Sequence, residues 1–182
     1  MILEEKQLSS DYKFKGRIIN LRQDSVMLPN GNTATREVVE HPGGVCIAAL
    51  TDNDELLFVK QWRYPYMEET LEIPAGKRDK KDEDPLECGK RELQEETGAT
   101  AREYIDLHPL YPTPGYINEV IYCYLATDLT FGKQNTDEDE FLDVLRIPLQ
   151  KAVEMVLSGE IKDAKTQIAV LKVKLLRDMG KI

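Results

Sequence analysis

Three glutamates, Glu92, Glu95 and Glu96, stand at spacings that a helix would gather onto one side, with Arg91 beside them. Residues three and four apart are neighbours on a helix, so Glu92 meets both Glu95 and Glu96. Like charges so placed cost about 0.2–0.5 kcal/mol per pair on an exposed helix. Arg91 can pair with Glu95 and, one turn back, with Glu87. Glu92 and Glu96 have no partner at helical spacing beyond the weakly placed Lys90. A divalent cation would remove the repulsion, and oxygen-only ligands favour Mg²⁺ or Mn²⁺ over zinc. A solvated acidic face accounts for the same residues, and on the helix alone it is the simpler account.

The helix that must carry these carboxylates is well marked. Asp84 is a good N-cap, Pro85 suits the first helical position and Gly98 suits the left-handed position past the end. The helix is predicted over Pro85 to Thr97, with Leu86, Leu93 and Thr97 on its core face.

The surrounding stretch resembles the Nudix box, G-x5-E-x7-R-E-U-x-E-E-x-G-U with U a bulky apolar residue. Gly76, Glu83, Arg91, Glu92, Leu93, Glu95, Glu96 and Gly98 fill the pattern. It departs in two places. Six residues rather than five separate Gly76 from Glu83, and the last position is the small Ala99. A slightly longer loop is thermodynamically cheap, so the departure bears on the loop and not on the family.

The rest of the chain bounds the reading. A length of 182 residues suits one domain with a sizeable core. A net charge of −9 argues against non-specific nucleic-acid binding, but not against an anionic small substrate met through bound metal. The N-terminal MILEEKQLSS has no signal-peptide pattern, and the longest apolar run, Val45 to Leu50, is too short to span a membrane. Three widely spaced cysteines, Cys46, Cys88 and Cys123, read as reduced core residues of a cytoplasmic protein. Two histidines make a His-rich metal site unlikely to be the centre of the chemistry.

Taken in order, Tyr12 to Leu21, Asp24 to Leu28 and Thr33 to Glu40 read as β-prone segments, folded at the turn Pro29-Asn30-Gly31-Asn32. This N-terminal hairpin region, residues 1–40, has too few apolar residues to stand alone. His41-Pro42-Gly43-Gly44 separates it from a main body at 41–182. There, strands are predicted at Val45 to Leu50, Glu55 to Tyr64, Tyr104 to Leu110, Asn118 to Asp128 and Phe141 to Ile147. Thr130 to Glu140 is an acidic loop. Helices follow at Leu149 to Leu157 and after the cap Asp163, the latter with Ile168, Leu171, Leu175 and Leu176 inward. The order predicts an α/β/α arrangement around a mixed sheet with an antiparallel component, and the Nudix fold is such a sandwich.

From about Tyr12 to Leu175 the chain looks like the ADP-ribose pyrophosphatase branch of that family. Gln61-Trp62-Arg63, Leu71 to Gly76, Asp137 to Val144, and Gly159-Glu160-Ile161 with Asp163 carry the likeness, as does Pro114 sixteen residues past Gly98. The resemblance implies Mg²⁺-dependent hydrolysis of ADP-ribose to AMP and ribose 5-phosphate. Glu92 and Glu96, with Glu95 and the Ala75 carbonyl, would hold metal, and Arg91 would orient Glu95. Arg63, Glu72, Arg36, Pro114 and Gly115 would meet substrate. The base would be a loop glutamate, Glu138 before Glu140, with Glu95 next. The branch further implies a homodimer with exchanged N-terminal strands. Other substrates stay open: a sugar nucleotide, a dinucleoside polyphosphate, a nucleoside triphosphate. So does a sensor that binds ADP-ribose without cleaving it.

Overall fold

The computed structural model describes residues 3–79, 82–136 and 140–182. The chain divides into two compact units, one of residues 1–43 with 111–120, the other of 44–110 with 121–182.

Unit 1 is an antiparallel three-stranded sheet of β1 (Lys6–Lys15), β2 (Asn20–Met27) and β3 (Thr33–Glu40), in the order β1-β2-β3. The three β-prone segments expected from sequence are thus the three strands of one sheet, with shifted bounds. β1 begins earlier than the apolar residues at Phe14 and Ile18 suggest, because backbone pairing with β2 extends it through polar residues that apolar periodicity does not mark. Every residue of β1 is exposed, Leu8, Tyr12 and Phe14 included. Residues 111–120 join this unit through Val39, whose amide donates to the Tyr116 carbonyl (2.8 Å) and whose carbonyl accepts from Asn118 (3.1 Å).

Unit 2 is built on β4 (Gly44–Ala49), which lies between β7 (Ala75–Lys77) and β9 (Ile121–Phe131), with β8 (Ala99–Asp106) outermost. The β4–β9 pair is parallel and the others antiparallel, so the sheet is mixed. A second sheet runs β10 (Leu142–Pro148), β5 (Glu55–Arg63), β6 (Glu68–Glu72), all antiparallel. Side chains alternate along a strand, and β4 uses both faces. Val45, Ile47 and Ala49 meet Cys88 and Leu93 of α1 (Pro85–Thr97). Cys46, Ala48 and Leu50 meet Ala152 of α2 (Leu149–Leu157) and Ala169, Val170 and Val173 of α3 (Ala164–Asp178). The result is the expected α/β/α sandwich. Gly89 is what lets α1 settle on β4: a Cβ there would lie 2.7 Å from Ile47 Cδ1 and 2.9 Å from Val45 Cγ2.

Several expectations shift. β8 starts directly after the helix, at Ala99 rather than Tyr104, because Gly98 turns the chain at φ 71° into the sheet at once. β9 begins at Ile121, since Asn118 is committed to Val39 in unit 1. α3 turns a different face inward. Its buried residues are Thr166, Ala169, Val170 and Val173, while Leu171 and Leu175 are exposed. The buried Thr166 hydroxyl accepts from the Ile73 amide (3.0 Å), and this polar anchor sets the helix's rotation.

Candidate active site

The helix carrying the glutamates forms for the local reasons its sequence gives. Asp84 Oδ1 accepts from the amides of Leu86 (2.9 Å) and Glu87 (3.0 Å), Pro85 opens the first turn and Gly98 closes the last. Its carboxylate face is not solvated. Glu92 and Glu96 are both buried, at 8% and 3% exposure. The face on which Cys88, Gly89 and Leu93 enter the core continues into these two acids, a placement that apolar spacing alone does not mark.

Burial pushes the Glu92 carboxyl up to about 7, against the pull of Arg91, whose Nη2 lies 2.9 Å from Glu92 Oε1. Burial pushes Glu96 higher, to about 8, despite the hydrogen bond that its Oε2 accepts from the Ala75 amide (2.9 Å). Each acid also raises the other or is raised by its neighbours: Glu92 acts on Glu96, and Glu140 acts on both. Glu140, in the segment leading into β10, therefore bears on the same site.

Gly76 makes the close approach possible. A Cβ there would stand 1.9 Å from Glu92 Cδ, so no residue with a side chain can occupy the position while Glu92 keeps its place. The loop that follows is closed by Glu83, which accepts from the Asp79 amide on Oε2 (2.7 Å) and from the Arg78 guanidinium on its carbonyl. Glu83 Oε1 also lies 3.8 Å from Arg91 Nη2. Arg91 does pair with Glu95 (2.8 Å), but Glu87 takes Lys90 instead (2.7 Å). Arg91 is thus surrounded by Glu83, Glu92 and Glu95, and Glu92 has the partner that helical spacing does not reveal. Past the helix, the Gly132 amide donates to the Gly98 carbonyl (2.7 Å) and that of Asn135 to the Glu95 carbonyl (3.0 Å), which ties the root of the acidic loop to α1. Glu138 lies outside the described residues.

Arg63 and Glu72 meet as a bidentate pair, Nε to Oε1 at 2.6 Å and Nη2 to Oε2 at 2.8 Å. Glu72 is 2% exposed and also accepts from Thr70 and Lys165. Arg63 and Lys165 hold its carboxyl down to about 2, against the upward push of burial, which is the largest single influence. Glu72 is therefore a holder of Arg63 and not a group open to solvent. Arg36, Pro114 and Gly115 belong to unit 1, where Arg36 is paired with Glu5 and the other two are exposed.

Sequence reasoning missed Lys165. The available signal is a cation in the first turn of a helix, the end that disfavours positive charge.

Among the described residues no three His, Cys, Asp or Glu side chains converge as a ready metal cluster. The donors on offer are the paired carboxylates of Glu92 and Glu96, with the backbone at Ala75 against Glu96. Two buried acids raised toward neutrality, side by side and all-oxygen, suit a hard divalent cation, whose charge would offset both burial and repulsion.

A carboxylate pair on a helix, opened by a glycine turn and set in an α/β/α sandwich, defines a cation-dependent hydrolase class. Residues 40–168 match the NUDIX domain and residues 5–39 the nucleoside diphosphate sugar hydrolase N-terminal domain, and the chain belongs to the Nudix family. It is 41% identical to the ADP-ribose pyrophosphatase of Bacillus subtilis (strain 168), over 95% of this chain and 94% of that protein. It is 40% identical to the methanol dehydrogenase activator of Bacillus methanolicus, over 96% of this chain and 95% of that protein. Among solved structures, one titled as an ADP compounds hydrolase superposes with a TM-score of 0.86 at 22% identity, covering 100% of this chain and 99% of that one, which speaks for the fold.

Proposed function

We propose that this protein hydrolyses the diphosphate bond of ADP-ribose, with Mg²⁺ or Mn²⁺, to AMP and ribose 5-phosphate. One observation carries the reading: Glu92 and Glu96 are buried on one face of α1 with a single arginine and a single backbone amide as partners, a donor set that a hard divalent cation would complete. A diphosphate ester brings anionic oxygens for Arg63 and for cations held at Glu92 and Glu96. The relatives' names supply the substrate.

Glu92 and Glu96, with Glu95 and the Ala75 carbonyl, would hold the metal. When bound, it neutralises phosphoryl charge and lowers the pKa of an attacking water. Arg91 fixes Glu95 across one helical turn, and Arg63 receives a phosphate oxygen. In hydrolysis the water oxygen bonds to one phosphorus, the bridging P–O bond breaks, and the water proton passes to a base. That base is a glutamate of the acidic loop, Glu138 before Glu140. In favour of the segment, Glu140 acts on Glu92 and Glu96, and the loop root is tied to α1.

The assembly would be a homodimer through unit 1, whose β1 exposes Leu8, Tyr12 and Phe14. Arg36, Pro114 and Gly115 would reach substrate from that unit. Light scattering of the full chain and of a chain lacking residues before His41 tests this: the truncation should be monomeric or poorly soluble, and inactive. No helix among the described residues is long and apolar enough to cross a membrane, the described cysteines are free and buried, and the site of action would be the cytoplasm.

A second reading, hydrolysis of a sugar nucleotide, is favoured by the likeness of residues 5–39 to a nucleoside diphosphate sugar hydrolase domain. Product analysis over ADP-ribose, GDP-mannose, diadenosine polyphosphates and nucleoside triphosphates, with and without Mg²⁺, separates the two. AMP and ribose 5-phosphate formed fastest from ADP-ribose support the first reading. Binding of ADP-ribose without cleavage would mark a sensor and overturn both.

A further inference from the structure

Four charged side chains meet where β5 and β6 approach the start of α3: Arg63, Glu72, Asp163 and Lys165. Lys165 is the unexpected member. Its side chain is 11% exposed and sits in the first turn of a helix, where both burial and the helix dipole oppose a cation. It is held there by Glu72 Oε2 and by Asp163 Oδ1, the latter at 3.0 Å. A buried ammonium at that position calls for an account.

Glu72 gives it. Its Oε1 accepts from Arg63 Nε and from Thr70 Oγ1 (2.7 Å), and its Oε2 accepts from Arg63 Nη2 and from Lys165 Nζ. A carboxylate has about four lone-pair sites, and all are taken. Lys165 is balanced by Asp163 as well as by Glu72, so the four groups carry two positive and two negative charges. Arg63 is fixed in plane by its two bonds to Glu72. Its third nitrogen, Nη1, makes no hydrogen bond among the described residues, and its side chain is 40% exposed. Arg63's partner Glu72 is followed three residues on by Ala75, whose amide donates to Glu96 Oε2 (2.9 Å), so one short segment joins this arginine to the carboxylate site.

We infer that Lys165 is a positioning and charge-setting residue for Arg63: it shares Glu72, so that Arg63 is held rigidly yet is left able to bind a second anion, the substrate's diphosphate. The inference rests on the reading of the site as one for a diphosphate ester. Without Lys165, Glu72 and Asp163 would stand against Arg63 alone, the cluster would carry net negative charge, and the guanidinium would attract phosphate less.

The test is a double-mutant cycle on Lys165→Met and Arg63→Met, with Lys165→Arg as the conservative variant. Two quantities are read: kcat and KM for whichever diphosphate ester the wild-type protein cleaves best, and the dissociation constant of ADP by calorimetry. Lys165→Met should raise KM and the ADP dissociation constant by about tenfold, with kcat changed by less than about threefold, as expected for lost uniform binding. Lys165→Arg should recover most of the loss. In the Arg63→Met background, Lys165→Met should add less than about twofold, because Lys165 acts through Arg63. Equal losses in both backgrounds, or a loss in kcat alone, would overturn the inference. So would failure of Lys165→Arg to recover binding while its melting temperature matches wild type. A best substrate other than ADP-ribose would overturn the substrate reading and leave this one to stand or fall on the cycle.

Discussion

Two sets of buried carboxylates, Glu72 by itself and the pair Glu92 and Glu96, are treated in opposite ways. Glu72 is surrounded by Arg63, Lys165 and Thr70, and the two cations hold its carboxyl down to about 2. Glu92 and Glu96 have one arginine and one backbone amide between them, and burial pushes them up to about 7 and about 8. Desolvation is the largest influence on all three. The difference lies in how many donors the fold supplies. A buried charge needs pairing, so the first set is complete within the chain and the second would be completed by a cation from outside. One region is a support and the other is a site.

The sharpest way to break this contrast is to remove the charge from the incomplete set. Glu92→Gln or Glu96→Gln keeps the shape and loses a ligand oxygen's charge. Metal electrostatics contribute several kcal/mol to such transition states, so turnover should fall by at least about 10³-fold at saturating Mg²⁺. The metal-free variants should melt no lower than wild type, since a repelling buried charge has gone. Turnover near wild type in both would show that these carboxylates are as self-contained as Glu72.

The next effect concerns the loop glutamates proposed to supply the base. A general base contributes about 10²–10⁴-fold, so Glu138→Gln should lower kcat by that order with KM little changed. Glu140→Gln should act less, or mainly on KM. The reverse ranking in steady-state kinetics would exchange the two roles, and two mild variants would move the base to Glu95.

How far this was legible follows from what is local. Asp84, Pro85 and Gly98 announce α1 because caps act within one turn, and Asp163 announces α3 in the same way. The order of elements gave the α/β/α sandwich. Burial of Glu92 and Glu96 was not legible, since a charged face reads as solvated until Gly76 is seen to admit Glu92 against its Cα. The inward face of α3 was misread because leucines were weighed above Thr166, whose bond to the Ile73 amide is tertiary. β1 was misplaced because its pairing with β2 runs through polar residues. Lys165 carries no apolar or motif signal at all, and its partner Glu72 is 93 residues away in the chain.

A smaller effect sets the two regions on opposite arms of one stability profile. Glu92 and Glu96 have folded pKa values above their ordinary 4.5, so the metal-free protein is favoured by them at low pH and loses that stability as pH rises through about 7 and 8. Glu72 lies below its ordinary value, so its stabilisation is full above 4.5 and is lost as pH falls toward 2. The Glu72 shift corresponds to about 3 kcal/mol. At about 2–4 °C per kcal/mol for a chain of this size, melting temperature should fall by about 6–12 °C on the acid arm, and it should fall also on the alkaline arm. Mg²⁺ should restore the alkaline arm and leave the acid arm alone. A metal-free protein most stable near pH 9 would contradict the alkaline assignment.

The smallest effect tests whether the two arms are independent. Thr70→Val removes one of the four donor bonds to Glu72, the 2.7 Å bond from Thr70 Oγ1, and leaves Arg63 and Lys165 in place. A hydrogen bond to a charged acceptor contributes about 1.5–3 kcal/mol, and the remaining donors should recover part of that. Melting at neutral pH should therefore drop by about 2–5 °C. With one donor fewer, the folded pKa of Glu72 rises toward its ordinary value, so the loss at acid pH begins nearer neutrality. The alkaline arm should keep its midpoint, because Thr70 donates nothing to Glu92 or Glu96. Thermal unfolding from about pH 3 to pH 9 on wild type and Thr70→Val reads both arms at once. An alkaline midpoint that moves with the acid one would mean that Glu72 and the Glu92–Glu96 pair titrate as one group, and the division between support and site would fall.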